Sequence, residues 1–336
     1  MDHGPRLPRF AFFSPLLACL TLTACGGGGS DGSVAPPSRQ AAAATATAQS
    51  NPLCSVAALG SYYWEIGDRN GVLVAGSMGA GGVSANTVMN IASASKWLFA
   101  GYVYEKFGGP PSLVPFLNFT SGYSNLNSDL CVATGTVSDC MNGGINASEA
   151  ATGMFHYQGG HMQQLAVNLG LGAMRNDALA TEVRSQLGTD ISLQYVEPLA
   201  PGGVRTSAAN YAVFLRKLLI DSPAPLRLGI ALGTHAVCTQ PSPTCNASPD
   251  TAAALPENFH YSLGHWVEDD PSHTPSSNFA YSSAGKFGFY PWVDFDRKLY
   301  GIVARDDPTA LATGEGYASL ECGRLIRLAW KTGIAQ

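Results

Sequence analysis

The sequence predicts an α+β fold: one antiparallel sheet of about five strands assembled from both ends of the chain, with a helical lobe inserted between them. Three observations carry this. β-rich segments gather at the two ends, at residues 61–67 and 72–76 and again between 261 and 305. Segments of helical periodicity fill the middle, from about residue 100 to 255. A last stretch, 315–331, carries apolar residues at helical spacing, so terminal helices flank the sheet.

Each element has its own signal. Segments 61–67 and 72–76 enclose Asp68-Arg69-Asn70-Gly71, whose Asn-Gly pair marks the tight turn of a hairpin. Segments 96–107, 161–169 and 208–219 read as helices separated by Gly-rich loops. Segments 261–268, 279–283, 289–295 and 299–305 read as strands, with Asp296-Arg297-Lys298 as the tight connection between the last two. There is no internal repeat. With 336 residues, 46% of them hydrophobic, the chain has ample material for a core. Only 13% of residues are charged, the net charge is −5 and no basic block stands out, which argues against nucleic acid as a partner.

The N-terminus reads as a targeting signal. Arg6 and Arg9 supply a basic start, and the apolar stretch 11–22 is too short to span a bilayer. It ends in Leu22-Thr23-Ala24-Cys25, which resembles the lipobox of bacterial lipoproteins, in which the Cys becomes the lipidated first residue. The resemblance implies a signal peptide over 1–24, lipidation of Cys25 and a membrane partner through that anchor. Gly26 in place of Asp implies the outer membrane. The competing reading is an ordinary secretory signal with a coincidental Cys. Residues 25–50 run through Gly, Ser, Pro and an Ala/Thr repeat, a composition that predicts a flexible tether spanning roughly 25–30 Å. The folded domain is then 51–336.

Cysteine usage agrees with export. Of eight, Cys19 leaves with the signal and Cys25 takes lipid, so six remain, an even number that reads as disulfides. Cys131 with Cys140 and Cys238 with Cys245 would each close a short loop of turn residues, and Cys54 with Cys322 would join the two ends of the domain. No CxxC or Cys/His spacing points to a metal, and the seven histidines are scattered.

The chemistry centres on Ser93-Ala94-Ser95-Lys96, an S-x-x-K sequence. Residues three apart share a helix face, so Ser93 Oγ and Lys96 Nζ can meet, whereas Ser95 points elsewhere. A buried lysine can lose its proton and serve as base. By itself the pattern is equally a solvated helix face. There is no G-x-S-x-G elbow, P-loop or dinucleotide fingerprint, so no organic cofactor is implied. Asp294 and Asp296 read as turn or strand-end residues, and Phe287, Phe289, Tyr290 and Trp292 as mostly core.

More of the sequence supports Ser93. Asn90-Ile91-Ala92-Ser93-Ala94-Ser95-Lys96, Leu117-Asn118-Phe119-Thr120-Ser121-Gly122-Tyr123, Gly202-Gly203-Val204-Arg205-Thr206-Ser207-Ala208-Ala209-Asn210-Tyr211 and Tyr261-Ser262-Leu263-Gly264 follow one another in an order and spacing that resemble serine β-lactamases and penicillin-binding proteins. The resemblance spans residues 61–330 and implies a β-lactamase/transpeptidase-like fold, with the active site in the cleft between the sheet and an all-helical lobe. It implies Ser93 as nucleophile, Lys96 as base and, from Phe155-His156-Tyr157-Gln158-Gly159 at the place of the family's Tyr-x-Asn, Tyr157 as proton relay. Gly159 departs from the pattern, since the family's Asn orients the Lys and the substrate. Gln158, His156 or His161 would have to substitute. Ser283-Ala284-Gly285 stands where the family has Lys-Thr-Gly or His-Thr-Gly. It is expected along the substrate, and the oxyanion hole is expected from the backbone N–H groups of Ser93 and Lys286. The Lys286 side chain reads as solvated from strand alternation. The missing cation at Ser283 argues against lactam and D-alanyl-peptide substrates. It favours a small ester or amide, as in the esterase and 6-aminohexanoate-oligomer-hydrolase branches. Two other readings remain: a β-lactamase or DD-carboxypeptidase, and a non-catalytic envelope protein that binds a peptide or wall fragment.

Overall fold

A computed structural model describes residues 38–143, 152–245, 247, 255–308 and 315–336. The signal peptide, Cys25 and the first half of the expected tether lie outside the described residues. The strands are β1 (Tyr62–Asp68), β2 (Gly71–Met78), β3 (Met89–Asn90), β4 (Gln194–Tyr195), β5 (Val204–Thr206), β6 (Val237–Cys238), β7 (His260–Ser262), β8 (His265–Glu268), β9 (Ala280–Ser282), β10 (Tyr290–Asp294) and β11 (Tyr300–Ala304). The helices are α1 (Arg39–Ser50), α2 (Val56–Leu59), α3 (Ser95–Phe107), α4 (Val114–Leu117), α5 (Val137–Gly143), α6 (Gly160–Ala166), α7 (Asn176–Leu187), α8 (Ala208–Leu218), α9 (Arg227–Ala231) and α10 (Glu315–Thr332).

The main sheet has eight strands in the order β2-β1-β11-β10-β9-β8-β7-β6, more than the five expected, and its pairings are antiparallel. The two chain ends meet near one edge of it, where β1, the second strand, pairs with β11 from Tyr63 against Ala304 to Gly67 against Tyr300. The β1–β2 turn forms as expected: Asp68 Oδ1 accepts the N–H groups of Asn70 (2.7 Å) and Gly71 (3.3 Å). α10 packs on β10 and β11 from one side, and α8 packs on the same strands from the lobe. A fully buried network ties α10 down: Arg327 Nη2 lies 2.9 Å from Glu268 Oε2, and the Tyr290 hydroxyl donates to Glu268 Oε1 at 2.7 Å. Burial opposes ionisation of Glu268, but Arg327 and Arg324 outweigh it and hold the carboxyl below its usual range.

Segment 261–268 is a hairpin, not one strand. β7 and β8 pair through Ser262 and His265, and Leu263 (φ 45°) and Gly264 (φ 81°) make the turn. Leu-Gly is not a turn signal, because a leucine in the left-handed region costs about 1 kcal/mol. Asn118 holds it there, its Oδ1 accepting the Leu263 N–H at 2.6 Å, while Gly264 N–H donates to Leu117 O at 2.9 Å. The lobe is also not purely helical. β3, β5 and β4 form a second, three-stranded sheet, each strand too short to show a period.

The tether reading fails for its second half. Residues 39–50 form α1, capped by Ser38 Oγ, which accepts the Ala41 N–H at 3.1 Å. Alanine is the best helix former, and its small side chain lets α1 lie close against α10 and β2. Ala44, Thr47 and Ala48 are fully buried. The C-terminus folds back along this helix: Arg39 Nε donates to Gly333 O (3.0 Å), and Gln336 N–H donates to Thr47 Oγ1 (2.9 Å). All three disulfides form as paired from the sequence, Cys54–Cys322, Cys131–Cys140 and Cys238–Cys245. Starting the protein at Asn51 instead of Ser38 is expected to lower its melting temperature by roughly 5–10 °C, followed by circular dichroism, because the apolar face of α10 is uncovered.

Candidate active site

The Ser93 segment is held in a strained backbone by its neighbours. β3 delivers the chain to Ala92, whose φ of 44° lies in the left-handed region, and residues 92–94 make one 3₁₀ turn that opens α3. Four hydrogen bonds fasten this turn. Ile91 N–H donates to Val204 O (3.1 Å), and Val204 N–H donates to Ser95 Oγ (3.2 Å). The Tyr211 hydroxyl donates to Ala94 O (2.9 Å) and the Ser283 hydroxyl to Ser93 O (3.1 Å). Ser93 therefore stands at the N-terminal end of α3, where the helix dipole favours negative charge.

Lys96, one turn further on, is only 6% exposed. Its Nζ donates to Ser93 Oγ at 2.8 Å and to Pro201 O at 3.1 Å. No carboxylate pairs with it among the described residues. Burial pulls its pKa down to about 7, and the positive charge of Lys286 adds to the effect. Near neutral pH much of the amine is therefore unprotonated and able to accept the Ser93 proton.

The Tyr157 ring lies over Lys96, with Nζ 5.2 Å from its centroid, and it stacks on Trp266 at 4.9 Å. Burial raises its phenol pKa, against the opposing pull of the Ser93 and Trp266 side chains that it faces. The Tyr157 phenol is thus held neutral, while the neutral form of the Lys96 amine is accessible near pH 7.

The side chains expected to replace the missing Asn are not what holds Lys96. Gln158 is spent on its own surroundings: Nε2 donates to Leu126 O (2.5 Å) and Oε1 accepts the Gly160 N–H (2.7 Å). His161 is buried, stacks on Phe119 and bonds Ser121 Oγ through Nδ1 (2.7 Å); burial lowers its pKa to about 3. His156 sits beside it, its N–H donating to Phe119 O. The second partner of the amine is instead the backbone carbonyl of Pro201, which no side-chain pattern announces.

A cavity of about 390 Å³ opens over this pair. Its walls include Ser93, Lys96, Gln158, Gly159, the loop 196–204, Lys286 and Phe287. Ser283, Ala284 and Gly285, expected along the substrate, are buried at the back of the nucleophile, and the cavity wall starts at Lys286. Gly285 must be glycine, since a Cβ there would lie 2.1 Å from Ile91 O. Lys286 is exposed, as expected, but it stands in the turn after β9 and not on a strand, so alternation does not turn it away: it lines the cavity and Lys96 feels its charge. Two carboxylates missed by sequence reading, Asp129 and Glu197, also line it. Burial raises the Glu197 pKa, Lys286 opposes this and Asp129 adds to it.

A central antiparallel sheet backed by terminal helices, with a Ser-x-x-Lys helix in the cleft of a helical lobe, is the β-lactamase/transpeptidase-like fold. Several solved structures share it. One is EstCE1, a hydrolase with promiscuous acyltransferase activity, at 12% identity over 87% of this chain and 98% of that one, TM-score 0.62. Another is a β-lactamase/D-alanine carboxypeptidase from Yersinia pestis complexed with citrate, at 14% identity over 79% and 93%, TM-score 0.56. A third is a β-lactamase from Mycobacterium bovis, at 19% identity over 78% and 94%, TM-score 0.51. No protein-family model matches the sequence, and no curated protein matches it.

Because only the neutral Lys96 amine can take the Ser93 proton, the rate at which Ser93 reacts with an acylating or phosphonylating reagent is expected to rise with pH through a single step near 7 and then level off. A rate profile from pH 5 to 9 checks this.

Proposed function

We propose that this protein is a serine hydrolase that cleaves a small ester or amide through an acyl-enzyme on Ser93. The observation that carries the reading is the 2.8 Å contact between Ser93 Oγ and a buried Lys96 amine whose protonated form is disfavoured. Lys96 takes the Ser93 proton as Oγ attacks the carbonyl carbon. The backbone N–H groups of Ser93 and Lys286 receive the oxyanion. Tyr157 gives its proton to the leaving group and recovers one from Lys96, and water then releases the acyl group. Ser283 supports an ester or small amide over a lactam or D-alanyl peptide. No cation stands at that position, and its hydroxyl is turned to Ser93 O.

The folded protein treated with a fluorophosphonate probe is expected to gain one adduct by intact mass, and Ser93→Ala none. Absence of an adduct on the wild type would favour the binding-protein reading. Nitrocefin turnover comparable to that of simple esters would favour a β-lactamase. Tyr157→Phe is expected to slow ester turnover by about 10²–10³.

We also propose that the domain is exported and held at the outer membrane by lipid on Cys25, on the strength of the Leu22-Thr23-Ala24-Cys25 sequence and three disulfides that suit an oxidising compartment. Cys25→Ser in the full chain is expected to move the protein from the membrane fraction to the soluble one.

A further inference from the structure

The helix that follows Tyr157 reaches into the loop that holds the base. Gln163, on α6, is fully buried. Its Nε2 donates to Val137 O at 3.0 Å and to Pro198 O at 2.9 Å, and its Oε1 accepts the Ala200 N–H at 2.9 Å. Every one of these bonds goes to backbone. The loop between β4 and β5 is otherwise closed at its neck, with Val196 N–H donating to Gly203 O (2.9 Å) and Gly203 N–H to Leu199 O (2.8 Å). Pro201, which supplies the carbonyl bonded to Lys96, follows directly on Ala200. Its ring rests against Gly159, where a Cβ would come within 3.0 Å of Pro201 Cγ. The loop is thus gripped by Gln163 just before Pro201, and Pro201 fills the space that a side chain at Gly159 would take.

We propose that Gln163 is a positioning residue: by clamping Pro198 and Ala200 it sets the Pro201 carbonyl against Lys96 Nζ, with Gly159 leaving room for that placement. The role matters to catalysis only if Lys96 is the base of the hydrolase proposed above. The physical effect is direct. An acceptor on the amine favours its protonated form and fixes its aim at Ser93, so a loosened loop lowers the pKa of Lys96 further and misdirects it. The other titratable groups around Lys96 are Ser93, Tyr157, Lys286 and the cavity carboxylates Asp129 and Glu197. Glu197 stands on the same loop, so Glu197→Gln is the control that changes charge without touching the clamp.

The test follows Lys96 itself, one of only six lysines, by NMR titration of ¹³C-lysine-labelled protein, alongside fluorophosphonate labelling rates. Gln163→Leu is expected to lower the Lys96 titration midpoint by about half a unit and to slow labelling at pH 8 about tenfold. Gly159→Ala, pressing on Pro201 from the other side, is expected to act in the same direction with a smaller effect. An unchanged or raised midpoint in folded Gln163→Leu would overturn the proposal. Should that variant lose its cooperative melt, the same readouts on Gly159→Ala decide. A wild type that resists labelling while the variants still shift the midpoint would sink the hydrolase reading and leave the clamp on Lys96 standing.

Discussion

The site depends on a lysine amine buried with no counter-ion among the described residues. Placing Lys96 in the core costs several kcal/mol if it stays charged, so the protein tolerates it by making the neutral form accessible near pH 7. That single constraint explains its partners. A carboxylate would restore the charge and abolish the base, whereas a serine hydroxyl and a backbone carbonyl satisfy the amine without doing so. It also explains why Tyr157 stays protonated, because its phenol shares the same apolar surroundings of Phe119, Tyr261 and Trp266.

Around this pair the backbone is held in conformations that isolated residues avoid. Ala92 and Leu263 both carry positive φ, one immediately before Ser93 and the other in the turn beside α3. Gly264 lies so close to α3 that a Cβ would come within 2.9 Å of Lys96 O, and Gly285 lies as tightly on Ile91. The strain is sustained by long-range hydrogen bonds from Asn118, Tyr211 and Ser283. A segment under this much external control has its geometry set in advance, which the proposed stabilisation of a transition state requires.

The sheet makes that control possible by closing the two chain ends on each other. β1 beside β11, the Cys54–Cys322 disulfide and α1 on α10 together turn the termini into one rigid layer. The lobe that carries Ser93, Lys96 and Tyr157 is inserted between these ends, so its mouth is anchored on both sides. The Ala/Thr segment expected as a tether belongs to this layer.

Much of this was legible in the sequence. Alternating β segments at both ends, the Asn-Gly hairpin, the Ser-x-x-Lys spacing and the pairing of six cysteines depend on local period and on spacing along the chain. Side-chain identity announces these directly. What only the tertiary structure decided depends on contacts that carry no residue signature. The Pro201 carbonyl on Lys96 could belong to any residue type. The left-handed Leu263 is a tertiary override of local preference by Asn118. The packing of α1 rests on a partner surface, α10, almost three hundred residues away. The opposite shifts of the Lys96 amine and the Tyr157 phenol likewise come from burial, since a sequence names the titratable groups and only the fold sets the dielectric around them.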